Sequence, residues 1–391
     1  MPTTHSQLIY LDHNATTPLL PEVLEAMRVC WSEQSFLNPS SQHVYGRRAR
    51  RALEQARDRL AALLGAKVGG MQSDRVVFTS GGTEANNLAI CGLAHGGSSH
   101  VVVSAAEHPS IAGLADEFAR RGREVDRLGV DRRGVVRIDQ IESLLRADTR
   151  VVAVMLGQNE TGILQPVAKA AAICAARGIP LHTDASQVAG KLPIDFSSLG
   201  AATMTVAAHK FHGPMGIGAL VVRHGVELQP QLFGGFQQAG LRPGSESVAL
   251  AVGMCRALEL WYVERNERAA RMREFRDRFE RAILAGWPTA VVIGRDADRL
   301  PHTSQIAFVG LDRQALFMAL DQAGVVCSTG SACASGSSEP SPVLLAMDCE
   351  PAVVASALRF SIGATTRAID MEEAVRRILA CCNDLRRQKE Q

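Results

Sequence analysis

The sequence has no long apolar run, no cysteine pair at zinc-binding spacing and almost no net charge. A membrane-spanning helix needs about 20 consecutive apolar residues, so we expect no membrane span. A formal net charge of +2 over 391 residues gives no basis for a nucleic acid partner. The first residues lack the basic region and apolar run of a signal peptide, and we therefore expect a cytoplasmic protein.

Disulfide and metal frameworks are also missing. Nine cysteines are present, and none forms a CxxC pair. We therefore expect no metal site and interpret most of these thiols as small buried apolar side chains. An odd number of cysteines in a reducing compartment leaves room for one reactive thiol.

The composition is that of an ordinary globular protein, with 46% hydrophobic and 21% charged residues. Between residues 75 and 223, short β-branched runs alternate with helical patterns. This alternation predicts an α/β fold with one mainly parallel or mixed sheet covered by helices. A long, charged helical stretch follows at about 250–284, and a smaller α+β pattern closes the chain.

Lys210 ends a predicted strand. Small and β-branched residues from Met204 to Ala208 predict a buried strand, and the segment after it is too rich in glycine and proline to continue as a helix. A partly desolvated amine flanked by His209 and His212 would have a lowered pKa and be available as a nucleophile toward a carbonyl cofactor. A lysine at a strand end is also an ordinary surface charge, so this interpretation needs a partner.

The partner is Asp184, which follows the apolar strand at residues 179–183. A carboxylate at a strand end of an α/β sheet lies in the crevice where ligands bind, although it can also cap a following helix. Pyridoxal phosphate requires such a pair, an acid for its ring nitrogen and a lysine for its aldehyde. Together, Asp184 and Lys210 favour a pyridoxal phosphate site.

A Gly81-Gly82 turn separates the strand RVVFT from a helix that opens at Thr83. The glycines allow the backbone to approach a ligand, and the first helical amides with the Thr83 hydroxyl form a seat for phosphate. Such turns also cap helices that bind nothing. The context of Asp184 and Lys210 favours the phosphate interpretation.

Two more polar residues follow predicted strands. His108 precedes a helix that Pro109 can begin, and it could stack on a flat heterocycle and move protons. Packing beside a turn is an equally good account of this histidine. Asn159 follows the strand RVVAVM, which brings its amide to the same crevice, with a role in the turn as the alternative.

The second half of the chain contributes a cysteine and an arginine. Cys333 lies among small residues in STGSACASG, where nothing would pack a core, so a mobile and reactive thiol is favoured. We interpret Cys327 as strand packing. Arg359 lies inside the apolar strand ALRFSIG and requires a carboxylate, either structural or from a substrate. We favour the substrate.

In this order, the motifs resemble the cysteine desulfurases, the NifS/IscS-like group of fold-type I enzymes that depend on pyridoxal phosphate. The resemblance spans nearly the whole chain. The strand-end acid and lysine are common to many such enzymes, whereas the STGSAC loop is specific to this family. The segments that carry the resemblance are YLDHNATTP, TSGGTEANN, AEHPS, QNETG, HTDASQVAGKLPID, AAHKFHGPMGIGAL, RPGSES, STGSACASG and LRFSIG.

The resemblance implies a fold and an activity. It implies a large cofactor-binding domain over 16–255 and a small α+β domain formed by 1–15 and 256–391, which carries the cysteine loop at about 327–339. The implied reaction converts L-cysteine to L-alanine and leaves the sulfur as a persulfide on Cys333. The implied partners are a second copy of the chain, which shares the active site, and a sulfur-acceptor protein of iron–sulfur cluster assembly or thiolation.

The resemblance also assigns roles. Lys210 would link to the cofactor aldehyde, His108 would stack on the ring and move protons with Lys210, and Arg359 would bind the substrate carboxylate together with Asn159. Cys333 would receive the sulfur. The remaining cofactor contacts would be Asp184 at the ring nitrogen, Gln187 and Asn159 near the ring hydroxyl, and Gly82, Thr83, His209 and Ser245 of the second subunit at the phosphate.

The sequence departs from the family pattern at two phosphate positions. Ala207 replaces a serine, which removes one hydroxyl that Thr205 or water could supply, and Ser245 replaces a threonine and keeps its hydroxyl. The segment after the last helix is also short, which puts docking of an iron–sulfur scaffold protein in question. Alternative functions are a selenocysteine lyase, another fold-type I aminotransferase, or a sulfur-carrying accessory protein with a degenerate cofactor site.

Overall fold

The computed structural model describes residues 8–32, 37–96, 99–330 and 339–390. Its strands are β1 (Ile9–Tyr10), β2 (Arg75–Thr79), β3 (His100–Ser104), β4 (Val125–Leu128), β5 (Thr149–Ala153), β6 (Leu181–Asp184), β7 (Thr203–Ala207), β8 (Gly218–Val222), β9 (Ala290–Val292), β10 (Thr303–Phe308), β11 (Val325–Val326) and β12 (Ala357–Ser361). Its helices are α1 (Pro21–Ser32), α2 (Val44–Leu63), α3 (Gly82–Leu93), α4 (Pro109–Arg120), α5 (Ile141–Leu144), α6 (Val167–Ala176), α7 (Phe196–Leu199), α8 (Val248–Gly286), α9 (Arg313–Gln322), α10 (Pro342–Ala346), α11 (Pro351–Val354) and α12 (Ala368–Glu390).

A seven-stranded sheet forms the centre of the molecule, in the order β2-β8-β7-β6-β5-β3-β4. The β3–β4, β3–β5, β5–β6 and β6–β7 pairs are parallel, whereas β8 runs antiparallel to both of its neighbours. Strands β3, β6, β7 and β8 are buried along their whole length, because helices cover both faces of the sheet. The predicted mixed α/β sheet is therefore confirmed.

The two faces of the sheet pack against different groups of helices. Val102 joins the core that includes residues of α2, α6 and α8, whereas its neighbours Val101 and Val103 join the core under α3 and α4. Successive side chains of a strand point to opposite faces, and this alternation places apolar residues on both. Helices α3 and α4 therefore pack on one face of the sheet, and α2, α6 and α8 pack on the other.

The second half of the chain adds two small sheets. Strand β10 pairs antiparallel with β9 and β12, and β1 pairs parallel with β11, with Ile9 opposite Val325. A separate core lies between these strands and α9, α12 and the second half of α8. The predicted α+β pattern is present, and α8 crosses the proposed boundary at residue 255 without interruption. The division into 16–255 and the remaining residues stays a prediction.

Two local features differ from expectation. The sequence alone favours Ser40 or Ser41 as the start of helix α2, because serine is a preferred N-cap residue. The helix is instead capped by His43, whose side chain accepts a hydrogen bond from the Gly46 amide. The three-residue strand β9 was not predicted, because so short an apolar run carries little periodicity. Among the described residues, no helix combines the length and apolar character that crossing a membrane requires.

Candidate active site

Lys210 lies at the end of a short helical turn that continues from β7. The turn covers Ala208–Lys210, and the partly buried Lys210 side chain points back across the crevice. Its Nζ donates hydrogen bonds to the carbonyl oxygens of Asn14, at 2.6 Å, and Ala15, at 2.9 Å. The amine is therefore held at the strand end, as predicted, by the segment that follows β1.

Asp184 is the last residue of β6, directly opposite Thr205 of β7. Its carboxylate is buried and accepts two hydrogen bonds: Oδ1 from the Ser186 amide at 2.9 Å, and Oδ2 from Asn86 Nδ2 at 2.7 Å. The first contact is the turn-capping role considered from the sequence. The second contact orients the carboxylate toward α3, and capping alone does not require it.

His108 is the N-cap residue of α4, and its Nδ1 accepts a hydrogen bond from the Ser110 amide at 3.1 Å. Burial lowers the pKa of His108, the Asp184 charge opposes this shift, and the charges of Lys210 and Arg359 add to it. Hydrogen bonds through Asn86 and Ser110 connect Asp184 to His108, and Lys210 follows β7, the strand paired with β6. The structure therefore brings the predicted acid, amine and imidazole into one crevice, and the capping alternative for His108 is also true.

The residues at the start of α3 fit a phosphate group. Gly81 precedes the first turn, and a Cβ added at Gly82 would lie 3.4 Å from Ser186 Oγ and 3.5 Å from the Cβ of Ala207. The hydroxyls of Ser186 and Thr205 are both buried without a hydrogen-bond partner. Unpaired buried hydroxyls beside a helix N-terminus suit an anion that accepts their protons.

His209 lies next to Lys210 and contacts the N-terminal segment. Its Nδ1 is 3.2 Å from the Thr16 hydroxyl. Burial lowers the pKa of His209 to about 4, and the neighbouring charges of Lys210 and Lys191 contribute to the shift. The imidazole is thus neutral near pH 7 and suited to hydrogen bonding rather than to charge pairing.

Arg359 is buried in β12 and has protein partners on two of its nitrogens. Nη2 donates to Asp12 Oδ1 at 2.7 Å, and Nη1 donates to the carbonyl oxygen of Asn159 at 3.0 Å. The sequence analysis favoured a substrate carboxylate over a structural one. A structural carboxylate is present and is Asp12, and binding of a substrate carboxylate by Arg359 stays a prediction. The third nitrogen, Nε, is buried without a partner.

Gln187 and Asn159 are both buried at the crevice. Gln187 Nε2 donates to the carbonyl oxygen of Asn14 at 3.0 Å, while its Oε1 has no partner. Asn14 in turn donates to the carbonyl oxygen of Asn159 at 3.0 Å. The segment after β1 therefore links Lys210, Gln187 and Asn159, which are distant in sequence.

Three predicted residues remain, namely Ser245, Cys333 and Cys327. Ser245 follows Gly244 and lines a cleft together with Thr79 and Ser80 at the end of β2. Cys333 lies outside the described residues, and its role stays a prediction. Cys327 directly follows β11 and is buried, and burial raises its pKa to about 12, which agrees with packing rather than reactivity.

Sequence reasoning missed three charged or polar residues around the crevice. Lys191 is 4% exposed, and its Nζ donates to the carbonyl oxygen of Lys210 at 2.6 Å. Glu107 accepts hydrogen bonds from the Ser104 hydroxyl and the Met155 amide, both at 2.7 Å. Asn86 lies four residues after Gly82, so it shares the inner face of α3, and that spacing was the available signal.

Comparison with known proteins agrees with this geometry. Residues 9–373 match the Aminotransferase class-V family. The chain is 38% identical over 366 residues to the cysteine desulfurase IscS of Dictyoglomus turgidum, covering 93% of this chain and 91% of that protein. This chain belongs to the cysteine desulfurases of the class-V aminotransferase family. The family depends on pyridoxal 5′-phosphate, so the orphaned hydroxyls, the acid and the lysine match its cofactor.

Two solved structures share the fold. A NifS-like protein superimposes with a TM-score of 0.88 at 29% identity, covering 97% of this chain and all of that chain. A structure described as SspA in complex with cysteine superimposes with a TM-score of 0.79 at 31% identity, covering 90% of this chain and 98% of the other. The fold-type I architecture inferred from the sequence is therefore confirmed.

Proposed function

We propose that this chain converts L-cysteine to L-alanine and retains the sulfur as a persulfide on Cys333. The observation that carries the proposal is the convergence of Lys210, Asp184 and His108 in one crevice. Pyridoxal phosphate, when bound, supplies an electron sink for the substrate α-carbon. The residues of the chain then have to hold the cofactor, orient the amino acid and move protons.

The cofactor contacts follow from the donors and acceptors in the crevice. Asp184 offers a carboxylate to the ring nitrogen, and the unpartnered Gln187 Oε1 and the Asn159 side chain flank the ring hydroxyl. The phosphate would be held by the start of α3 with Gly82 and Thr83, by His209, and by Ser245 of a second subunit. His108 would stack on the ring, since hydrogen bonds through Ser110 and Asn86 place it beside Asp184.

Lys210 would act both as the covalent anchor and as a proton carrier. Its Nζ has two carbonyl acceptors, from Asn14 and Ala15, and these would hold the amine whenever it is not linked to the cofactor. The free amine would accept the α-proton of the substrate and later donate a proton toward the product. Because Nδ1 of His108 accepts from the Ser110 amide, its neutral imidazole would carry a proton on Nε2 and could donate it as a second proton carrier.

Arg359 would bind the substrate carboxylate through Nε, the guanidinium nitrogen that has no protein partner. Asp12 and the Asn159 carbonyl hold the guanidinium in place, so its orientation is fixed before the substrate arrives. The similar SspA structure was solved in complex with cysteine, which supports this choice of substrate. A fixed arginine would also favour an amino acid with a free carboxylate over a simple thiol.

Cys333 would take the sulfur directly from L-cysteine. The Cys333 thiolate attacks the sulfur of L-cysteine, a sulfur–sulfur bond forms as the carbon–sulfur bond breaks, and the remaining three-carbon fragment takes up protons to become alanine. One L-cysteine and one thiol thus give one alanine and one persulfide.

The test is a single turnover with L-cysteine in the absence of reductant. We expect one alanine and one persulfide for each active site, and no alanine from Lys210→Ala. Cys333→Ser should lose persulfide and alanine formation but keep the visible absorption of the bound cofactor. Pyruvate instead of alanine, or amino-group exchange that survives Cys333→Ser with no desulfuration in the parent protein, would overturn the proposal. A protein without borohydride-sensitive visible absorption would be an accessory carrier.

We further propose a cytoplasmic homodimer that passes its sulfur to an acceptor protein of iron–sulfur cluster assembly or thiolation. Family members typically form dimers, and the eight cysteines among the described residues are free thiols, which persist in reducing compartments. Capture of partners by the persulfide form, compared with the Cys333→Ser variant, tests the acceptor. Sedimentation of the full chain tests the dimer.

A further inference from the structure

We infer that Asn86 is a positioning residue that couples the acid of the site to its histidine. The inference rests on the proposed assignment of Asp184 and His108 to the cofactor ring. Asn86 is fully buried one turn into α3, and its amide faces both residues at once. Nδ2 donates to Asp184 Oδ2 at 2.7 Å and to the Ser110 hydroxyl at 2.8 Å.

The contact with Asp184 fixes the orientation of the amide. A carboxylate accepts hydrogen bonds, so the amide nitrogen of Asn86 must face Asp184 and its oxygen must face away. Asn86 Oδ1 is 3.0 Å from His182 Nε2, and His182 Nδ1 is 2.8 Å from the Thr203 hydroxyl. His182 must therefore carry its proton on Nε2 and accept from Thr203. Burial lowers the pKa of His182 to about 4, so the neutral ring is the relevant form.

The second contact extends to His108. Ser110 Oγ accepts from Asn86 and lies 2.9 Å from His108 Nδ1. Nδ1 already accepts from the Ser110 amide, so it carries no proton, and the serine hydroxyl is free to donate to it. Asn86 thus donates to the Ser110 hydroxyl, and this hydroxyl donates to His108 Nδ1. The proton of the neutral imidazole therefore lies on Nε2.

Loss of the Asn86 amide would leave two buried groups without a partner. These are Asp184 Oδ2 and His182 Nε2, whereas the Ser110 hydroxyl would lose one of its two partners and keep His108. The first of them is the carboxylate that would meet the ring nitrogen. Because a hydrogen bond to a charged group is stronger than one between neutral groups, most of the effect should pass through Asp184.

The test measures the dissociation constant of pyridoxal phosphate from the apoprotein, by titration followed with tryptophan fluorescence. We expect Asn86→Ala to weaken binding by about 10- to 100-fold. Asn86→Asp keeps the volume but places a second carboxylate beside Asp184, so it should weaken binding at least as much. The matched control is Asn87→Ala, since Asn87 donates to the carbonyl oxygens of Thr83 and Ser110 and does not contact Asp184. This control should change the constant by less than about twofold.

A double-mutant cycle separates positioning from general structural damage. If Asn86 acts through Asp184, Asn86→Ala should raise the dissociation constant of the cofactor by less than about threefold in an Asp184→Ala background. Equal losses in both backgrounds, or wild-type affinity in Asn86→Asp, would overturn the inference. If Asp184→Ala binds the cofactor normally, the proposed role of Asp184 fails as well. If Asp184→Ala binds weakly and Asn86→Ala binds normally, the inference alone fails.

A spectroscopic measurement completes the test. In the loaded protein, the pH at which the visible absorption changes should shift in Asn86→Asp and stay unchanged in Asn87→Ala, because only the former adds a titratable group beside Asp184. An unshifted profile in Asn86→Asp would contradict coupling between Asn86 and the acid.

Discussion

The buried amine of Lys191 donates a 2.6 Å hydrogen bond to the carbonyl oxygen of Lys210. It thereby fixes the short turn that presents the reactive lysine. Burial lowers the pKa of Lys191 from 10.5 to about 7, and the charge of Lys210 adds to the shift. A second amine therefore supports the first without adding a full positive charge near neutral pH.

This contact predicts a pH dependence of stability. Between about pH 7 and pH 10.5 the unfolded chain binds a proton on Lys191 that the folded chain does not, so the free energy of unfolding rises with pH through that window. In Lys191→Met this contribution disappears, and the slope should fall by up to about 1.4 kcal/mol per pH unit. Urea unfolding across the window measures it. Lys169→Met removes an exposed amine and should leave the slope unchanged. Equal slopes in Lys191→Met and the parent would contradict the prediction.

Glu107 predicts the opposite dependence. Burial raises the pKa of its carboxyl from 4.5 to about 7, so between these values the folded chain holds a proton that the unfolded chain has lost, and stability falls as pH rises. Glu107→Gln keeps the acceptor oxygen for Ser104 and Met155 but cannot ionise. Above pH 7 this variant should be more stable than the parent by on the order of 3 kcal/mol. Thermal unfolding at acidic and alkaline pH checks this, with the exposed Glu142→Gln as control. A parent protein as stable as Glu107→Gln at alkaline pH would refute the shift.

Arg359→Lys should weaken substrate binding without removing the positive charge. A lysine cannot contact both Asp12 and the Asn159 carbonyl and also present a free edge, because it lacks the planar fork of the guanidinium. We expect KM for L-cysteine to rise by about 10- to 100-fold, corresponding to loss of a charge-assisted hydrogen bond. Initial rates of alanine formation measure it. A lower melting temperature with an unchanged KM would show that Arg359 serves the fold alone.

The unpaired hydroxyls of Ser186 and Thr205 should contribute to cofactor affinity and not to the stability of the apoprotein. Ser186→Ala and Thr205→Val should each weaken binding of pyridoxal phosphate by about tenfold, because each removes a hydrogen bond to the phosphate. The apoprotein should be as stable as the parent or more stable, since the lost hydroxyl had no partner. Ala207→Ser should tighten binding.

The matched contrast is Thr203→Val on the same strand. Its hydroxyl is bonded to His182, so this variant should destabilise the apoprotein. Equilibrium dialysis and thermal unfolding supply the two measurements. Unchanged cofactor affinity in both Ser186→Ala and Thr205→Val would remove these hydroxyls from the phosphate site.

The sequence was sufficient to place the side chains that depend on topology. Asp184 and Lys210 were predicted at neighbouring strand ends, because parallel strands of an alternating chain bring their carboxyl ends to one edge. Side-chain contacts between segments that are distant in sequence could not be predicted. Asp12 and Arg359 are 347 residues apart, and no local pattern identifies them as an ion pair.

The start of helix α2 could not be predicted for a similar reason. Ser40 and Ser41 have good capping chemistry, yet the helix begins after His43, because Gly46 lies against the Ser41 backbone and fixes the approach of the chain. No role for Asn86 follows from the motif TSGGTEANN, since its partners lie on two other elements, Asp184 and His182 on β6 and Ser110 on α4.

The pairing of β1 with β11 has a consequence for how the enzyme is made. The segment that holds the amine of Lys210 is translated before its pairing partners Val325 and Val326, which follow it by more than three hundred residues. A nascent chain therefore carries both Lys210 and the carbonyl oxygens of Asn14 and Ala15 before the pairing that fixes this segment can form. The site takes its final geometry only after β1 and β11 have paired.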